Sequence, residues 1–210
     1  MKHFQHIALI LTAFLVLEVC QPAQNGLRTG DLLFLGTQGE DPGSMDEAIV
    51  AATGNWTHVA IVEIDASGKQ WVIDATPQRG VCRYPLDTLI HENPEAVILV
   101  KRLRDTSGVS RYVDQACHFL GEPYDLTFLP DNGAHYCSEL VFDAYRRLDG
   151  SPLFEEKPMN FLATDGTMPP YWEALFEELG MPVPQGTPGT NPQDMSTSPL
   201  LETVPLTLKR

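Results

Sequence analysis

A chain of 210 residues with 43% hydrophobic, 20% charged and 9% aromatic content has the make-up of one globular domain with a sizeable core, which excludes collagen-like, coiled-coil and multi-spanning membrane classes. Fourteen Lys and Arg against 28 Asp and Glu leave a formal charge of -14, which repels phosphate backbones. The longest basic cluster, Lys101, Arg102 and Arg104, closes an apolar run and reads as a solvated strand end, so no nucleic-acid partner is expected.

The chain opens with a basic start, an apolar run from Ile7 to Leu17, and then Glu18-Val19-Cys20-Gln21-Pro22-Ala23. That is the pattern of a secretory signal peptide over residues 1–23, because eleven apolar residues are too few to span a bilayer. Export to the periplasm or the extracellular space is the expectation. A lipid anchor on Cys20 is the less favoured variant, since Glu18-Val19 lacks the small residues a lipobox wants.

Residues 24–181 read as one folded unit. Gly30-Asp31 turns into the apolar strand Leu32 to Leu35. Ser44 and Glu47 make a capping box for a short helix that Gly54 ends. Thr57–Ile64 and Gln70–Ala75 form a hairpin around Gly68, with Cys82 on a loop beyond it. Glu95–Leu103 adds a strand of the same sheet, and Val109 to Leu120 a helix stopped by Gly121. After an irregular stretch a second helix starts near Cys137, its apolar stripe running to Leu148. Strands with an embedded helix, followed by helices, make an α+β domain, an antiparallel sheet or small barrel packed against helices. Residues 182–210 hold six of the 17 prolines and read as a tail or an extended strap with no regular element of its own.

Cys137 is the most informative residue. At a helix N-terminus its thiolate is favoured by the dipole and by unpaired amides, which can also receive an oxyanion; the competing reading is an inert, buried thiol. A nucleophilic cysteine needs an oriented base. His3 and His6 fall in the signal segment and His91 and His118 read as exposed, which leaves His58 and His135. If Ala66-Ser67-Gly68 is a three-residue turn, Asp65 pairs with Lys69 and Ala60 faces Asp74. His58 and Asp74 are then diagonal neighbours on one face, and Glu63 points to the other. A carboxylate inside Val72-Ile73-Asp74-Ala75 requires a partner, and His58 is the nearest.

Gly30-Asp31-Leu32-Leu33-Phe34, Thr57-His58-Val59-Ala60-Ile61-Val62, Val72-Ile73-Asp74-Ala75, Gly121-Glu122-Pro123-Tyr124-Asp125 and Tyr136-Cys137-Ser138-Glu139-Leu140-Val141 together resemble the motif series of the YiiX/YaeF-like proteins. These are circularly permuted members of the NlpC-type papain-like superfamily, in which the His strand precedes the Cys helix. The resemblance implies a permuted papain-like fold with Cys137 as nucleophile, His58 as base, Asp74 as third polar member and Tyr124 near the oxyanion site. Asp74 departs from the pattern, which often has Glu there.

The leading reading is a thiol hydrolase (cysteine peptidase or amidase) that cleaves an amide through an acyl-enzyme on cell-wall-derived peptides, with no cofactor. One alternative is a lipid-directed acyltransferase on the same residues, since lecithin:retinol acyltransferase relatives share the permuted topology. The other is a binding module that has lost the chemistry. A zinc site has no support in spacing, for there is no Cys-x-x-Cys or His-x-x-x-His pair. Cys82 and Cys117 read as two separate thiols, with a disulfide as the alternative.

Overall fold

The computed structural model describes residues 26–37, 42–206 and 208. The signal segment, 1–23, and Cys20 lie outside the described residues. An open six-stranded antiparallel sheet carries the fold, built from β1 (Leu32–Gly36), β2 (Trp56–Ile64), β3 (Gln70–Thr76), β4 (Gly80–Pro85), β5 (Val97–Leu103) and β8 (Leu201–Thr203) in the order β4-β3-β2-β1-β5-β8. The strands at its two ends do not pair with each other, so the small barrel is not formed.

The turn into β1 explains its glycine and its acid. Gly30 has φ +82, and a Cβ there would stand 2.3 Å from Val109 Cγ1. Asp31 is fully buried and takes Arg102 Nε and Nη2 at 2.6 and 2.8 Å. Arg102 is therefore not part of a solvated strand end: β8 pairs alongside it and its head is tied to Asp31. Removing one partner would strand a buried charge, at a cost of about 3–5 kcal/mol.

Strand alternation divides the sheet into two apolar faces. Leu33, Leu35, Ala60, Val62, Val72 and Val100 meet Leu86 and Leu89 of α2 (Leu86–Glu92). On the other side, Leu32, Phe34, Val59, Ile61 and Ile73 pack on α3 (Val109–His118) and α4 (Cys137–Ala144). A third cluster lies beyond the end of the sheet. There Ala48 of α1 (Met45–Ala52) and Trp172 and Phe176 of α5 (Pro170–Glu178) enclose Phe128, Tyr136 and Phe161.

Four expectations are corrected here. The segment holding Cys82 is strand β4, not a loop: Val81 is buried while Arg83 and Tyr84 give the strand the polar character of an edge. The helix begun at Cys137 ends at Ala144, and Leu148 is 89% exposed. Its continuation is diverted because Tyr145 O accepts from Leu153 N at 2.8 Å while the Tyr145 ring stacks on Tyr112 and its hydroxyl donates to Gly30 O. Helices α2 and α5 lie where no element was expected. The fold also continues past residue 181. Pro188–Gly189 pairs as β7 with β6 (Lys157–Pro158), Pro192–Ser196 forms α6 and β8 closes the sheet. Prolines are tolerated there because Pro192 takes the first helical position of α6, where no amide donor is needed, behind the Asn191 cap.

Candidate active site

Register brings the first two polar groups together. The pairs Ile61↔Ile73 and Ile64↔Gln70, closed by Asp65 N to Lys69 O at 3.0 Å, are those of the three-residue turn, and extended by one pair they set Ala60 opposite Asp74. His58 Nε2 lies 2.7 Å from Asp74 Oδ1. Glu63 is on the opposite face, engaged by Arg83. A bulge between Leu35 and Gly36 shifts the β1–β2 register beside His58, and Gly36 permits it, since a Cβ there would sit 2.8 Å from Asn55 O.

With Nε2 committed to Asp74, Nδ1 is the nitrogen left for the thiol. The Cys137 sulfur lies close enough for its charge to act on His58. Burial lowers the pKa of His58, but Asp74 and Cys137 outweigh it and hold the imidazole well above its ordinary 6.5, although the ring is 23% exposed. His58 is thereby biased toward imidazolium.

Cys137 is the first residue of α4, and the first intrahelical bond runs from Leu140 N to Tyr136 O. The amides of Cys137 and Ser138 precede that ladder and are placed to receive negative charge. Tyr136 N turns instead to the Glu139 carboxyl at 3.4 Å. Tyr136 Oη accepts from Thr190 N at 3.0 Å, and Thr190 Oγ1 donates to Ser138 Oγ at 3.1 Å, so the segment after residue 181 grips both neighbours of the cysteine. Gln193 of α6 takes Trp56 N at the start of the His strand.

Tyr124 borders both the cavity at Cys137 and the cleft at His58. On the thiol side a cavity of about 50 Å³ is walled by Ile49, Phe128, Phe161 and Trp172; on the imidazole side a cleft of about 840 Å³ exposes His58 and runs to Arg79 and Tyr171. The Tyr124 hydroxyl makes a weak contact with Met45 Sδ at 4.0 Å rather than a backbone bond. Burial, and after it the charge of Cys137, raise its pKa well above 10, so it stays a neutral donor.

Sequence reasoning missed Tyr84, which donates to Asp74 Oδ2 at 2.6 Å, because β4 read as a loop. It also missed Thr190 and Gln193, for which no local signal exists. His135, the other histidine left open, is buried in a separate cluster, 2.8 Å from Glu122 Oε2 and 3.3 Å from Asp143 Oδ2, with its ring on Phe119. His91 and His118 are exposed on α2 and α3. Cys82, Cys117 and Cys137 are all free thiols.

Known proteins share the sequence family and the overall fold. Residues 26–205 match the permuted papain-like amidase enzymes of the YaeF/YiiX, C92 family. The uncharacterized protein YiiX of Escherichia coli K12 is 27% identical over 182 residues, covering 84% of this chain and 85% of its own. The crystal structure of the metalloprotein YiiX from Escherichia coli O157:H7 superposes with a TM-score of 0.70 at 25% identity, covering 87% of this chain and 98% of that one. Among the described residues here, no three His, Cys, Asp or Glu side chains are grouped to hold a metal ion. The chain belongs to the permuted papain-like amidase family YaeF/YiiX, C92, a family of thiol hydrolases.

Proposed function

We propose that this hydrolase cleaves an amide bond in a cell-wall-derived peptide through a thioester on Cys137. The observation that carries the mechanism is the His58–Asp74 couple set against a thiol at the N-terminus of α4. In the first step the Cys137 thiolate attacks the carbonyl carbon, and the amides at the start of α4, with Tyr124 as a neutral donor, hold the oxyanion. Imidazolium His58 then passes its proton to the departing amine as the C–N bond breaks, leaving the acyl group on sulfur. Water, deprotonated by the now neutral His58, attacks the thioester; the carboxylic acid leaves and the thiolate–imidazolium pair is restored. Asp74 keeps the imidazole in one orientation throughout.

The cell-wall assignment rests on the secretory pattern of residues 1–23, which supports an exported enzyme whose mature chain begins between Cys20 and Asn25. No helix among the described residues is long and apolar enough to cross a membrane. Incubating the full chain with muropeptides and, separately, with phospholipid vesicles, and identifying products by mass, tests the reading. Muropeptide amide cleavage is expected, with activity lowered on the order of 10⁴-fold or more in Cys137→Ser and largely kept in Cys117→Ser. Release of fatty acid from phospholipid with muropeptides untouched would overturn the substrate; full activity in Cys137→Ser would overturn the mechanism.

A further inference from the structure

His58, Asp74 and Tyr84 lie on one diagonal across three adjacent strands. Extending the β2–β3 register sets Ala60 opposite Asp74, so His58 is the diagonal neighbour on one side. The β3–β4 register sets Cys82 opposite Asp74 and Tyr84 opposite Val72, so Tyr84 is the diagonal neighbour on the other. All three side chains share a face. Asp74 is buried with a side-chain exposure of 1%, so both its oxygens must find donors inside the protein. Oδ1 meets His58 Nε2 at 2.7 Å and Oδ2 accepts from Tyr84 Oη at 2.6 Å.

We propose that Tyr84 is a positioning residue for the reaction: by holding Oδ2 it fixes the rotation of the Asp74 carboxylate, so that Oδ1 stays on the imidazole. The proposal rests on the Cys137–His58 reading above. An Asp has one methylene between carboxylate and backbone, and its terminal torsion is broad; a second anchor narrows it. Tyr84 is suited to the task. Burial and the Asp74 carboxylate push its phenol far above the ordinary range, so it remains a donor at every working pH. Its ring is itself held, with the Arg79 guanidinium 5.0 Å from the centroid and Arg79 clamped by Glu92 on α2 at 2.6 and 2.9 Å. Tyr84 also borders the cleft that exposes His58, so the test separates an effect through Asp74 from one on substrate binding by reading kcat apart from KM.

The test reads the ion pair directly and needs no substrate. In the full chain, the rate of Cys137 alkylation by iodoacetamide is followed against pH, with the modified cysteine identified by peptide mass because Cys82 and Cys117 are also free. Wild type should show a plateau bounded below by thiolate formation and above by loss of the imidazolium proton. Tyr84→Phe keeps the ring and removes only the donor. The alkaline limit of its plateau should fall, as a loosened Asp74 stabilises the imidazolium less, and kcat on an amide substrate should fall about ten-fold with KM within two-fold. In an Asp74→Asn background the same substitution should add less than two-fold. A plateau unchanged or widened by Tyr84→Phe, or a full additive loss on top of Asp74→Asn, would overturn the proposal while leaving the nucleophile assignment standing. Alkylation of Cys137 in wild type with no plateau would overturn the ion pair itself, and the role of Tyr84 with it.

Discussion

His58 and Tyr84 are 16 and 10 residues from the Asp74 they bind, whereas the residues flanking Cys137 are tied to Thr190, 54 and 52 positions away. The imidazole side of the site is a product of strand register within one meander, β2-β3-β4. The thiol side depends on a long return of the chain, which brings Thr190 to Tyr136 and Ser138 and Gln193 to Trp56. Local pairing sets a face and a spacing at little cost in loop closure; a distant clasp has to be assembled after most of the fold is in place. The two halves of the candidate site therefore differ in what can break them.

The sharpest way to break the imidazole side is to remove its acid. Asp74→Ala should lower kcat by roughly 10²–10⁴-fold, because the imidazole loses both its orientation and the partner of its positive charge. Glu63→Ala, three residues' reach away on the opposite face and paired with Arg83, should leave kcat within about two-fold and cost under about 1 kcal/mol of stability. Equal losses in the two variants would mean that register does not decide the orienting acid.

That difference also explains what could be read before any coordinates. The turn Ala66-Ser67-Gly68 dictates the pairing of Asp65 with Lys69, and from it the parity that separates Asp74 from Glu63 follows by counting. Cys137 declares itself through a helix start after a glycine-containing loop. Tyr84 stays hidden because β4 is an edge strand whose residues, Arg83 and Tyr84 among them, lack the apolar alternation of an inner strand. The return of the chain stays hidden because its elements are two to five residues long and proline-rich, below the length at which periodicity exists. Their order comes from what they dock on: Met195 and Leu201 bury into the core beneath β1 and β2.

The distant clasp has its own, smaller signature. Tyr136→Phe removes the acceptor for Thr190 N, leaving a buried amide without its partner, at a cost of about 1–3 kcal/mol in chemical denaturation. Because the same contact steadies the first turn of α4, kcat should drop several-fold while the pH limits of Cys137 alkylation stay where they are. This is the converse of Tyr84→Phe, which should move the alkaline limit. A shift of those limits in Tyr136→Phe would mean the clasp reaches the ion pair and not only the helix start.

A last effect, on stability and not on turnover, sharpens the contrast through pH. Glu139, in the first turn of α4, is buried, and burial together with the nearby Asp125 carboxylate pushes its pKa from 4.5 up to about 8. The folded protein thus holds this proton more tightly than the unfolded chain does. Linkage then gives the sign: stability attached to Glu139 is fully present below pH 4.5 and is lost as pH rises toward 8, by at most about 5 kcal/mol at 1.36 kcal/mol per unit. Asp143 and Asp131 add to the crowding from α4 and the loop before it, while the Tyr136 amide, which the carboxyl accepts, opposes the rise. His58, also raised, contributes in the same direction, so the wild-type melting temperature should decline from pH 5 to pH 8.5 for two reasons. Glu139→Gln keeps an acceptor for Tyr136 N and removes the titration. Its melting temperature should fall less steeply over that range, and the slope that remains belongs to the imidazole side. Parallel curves for the two proteins would show that Glu139 is ionised in the fold, and that the thiol side carries a buried negative charge beside the proposed nucleophile.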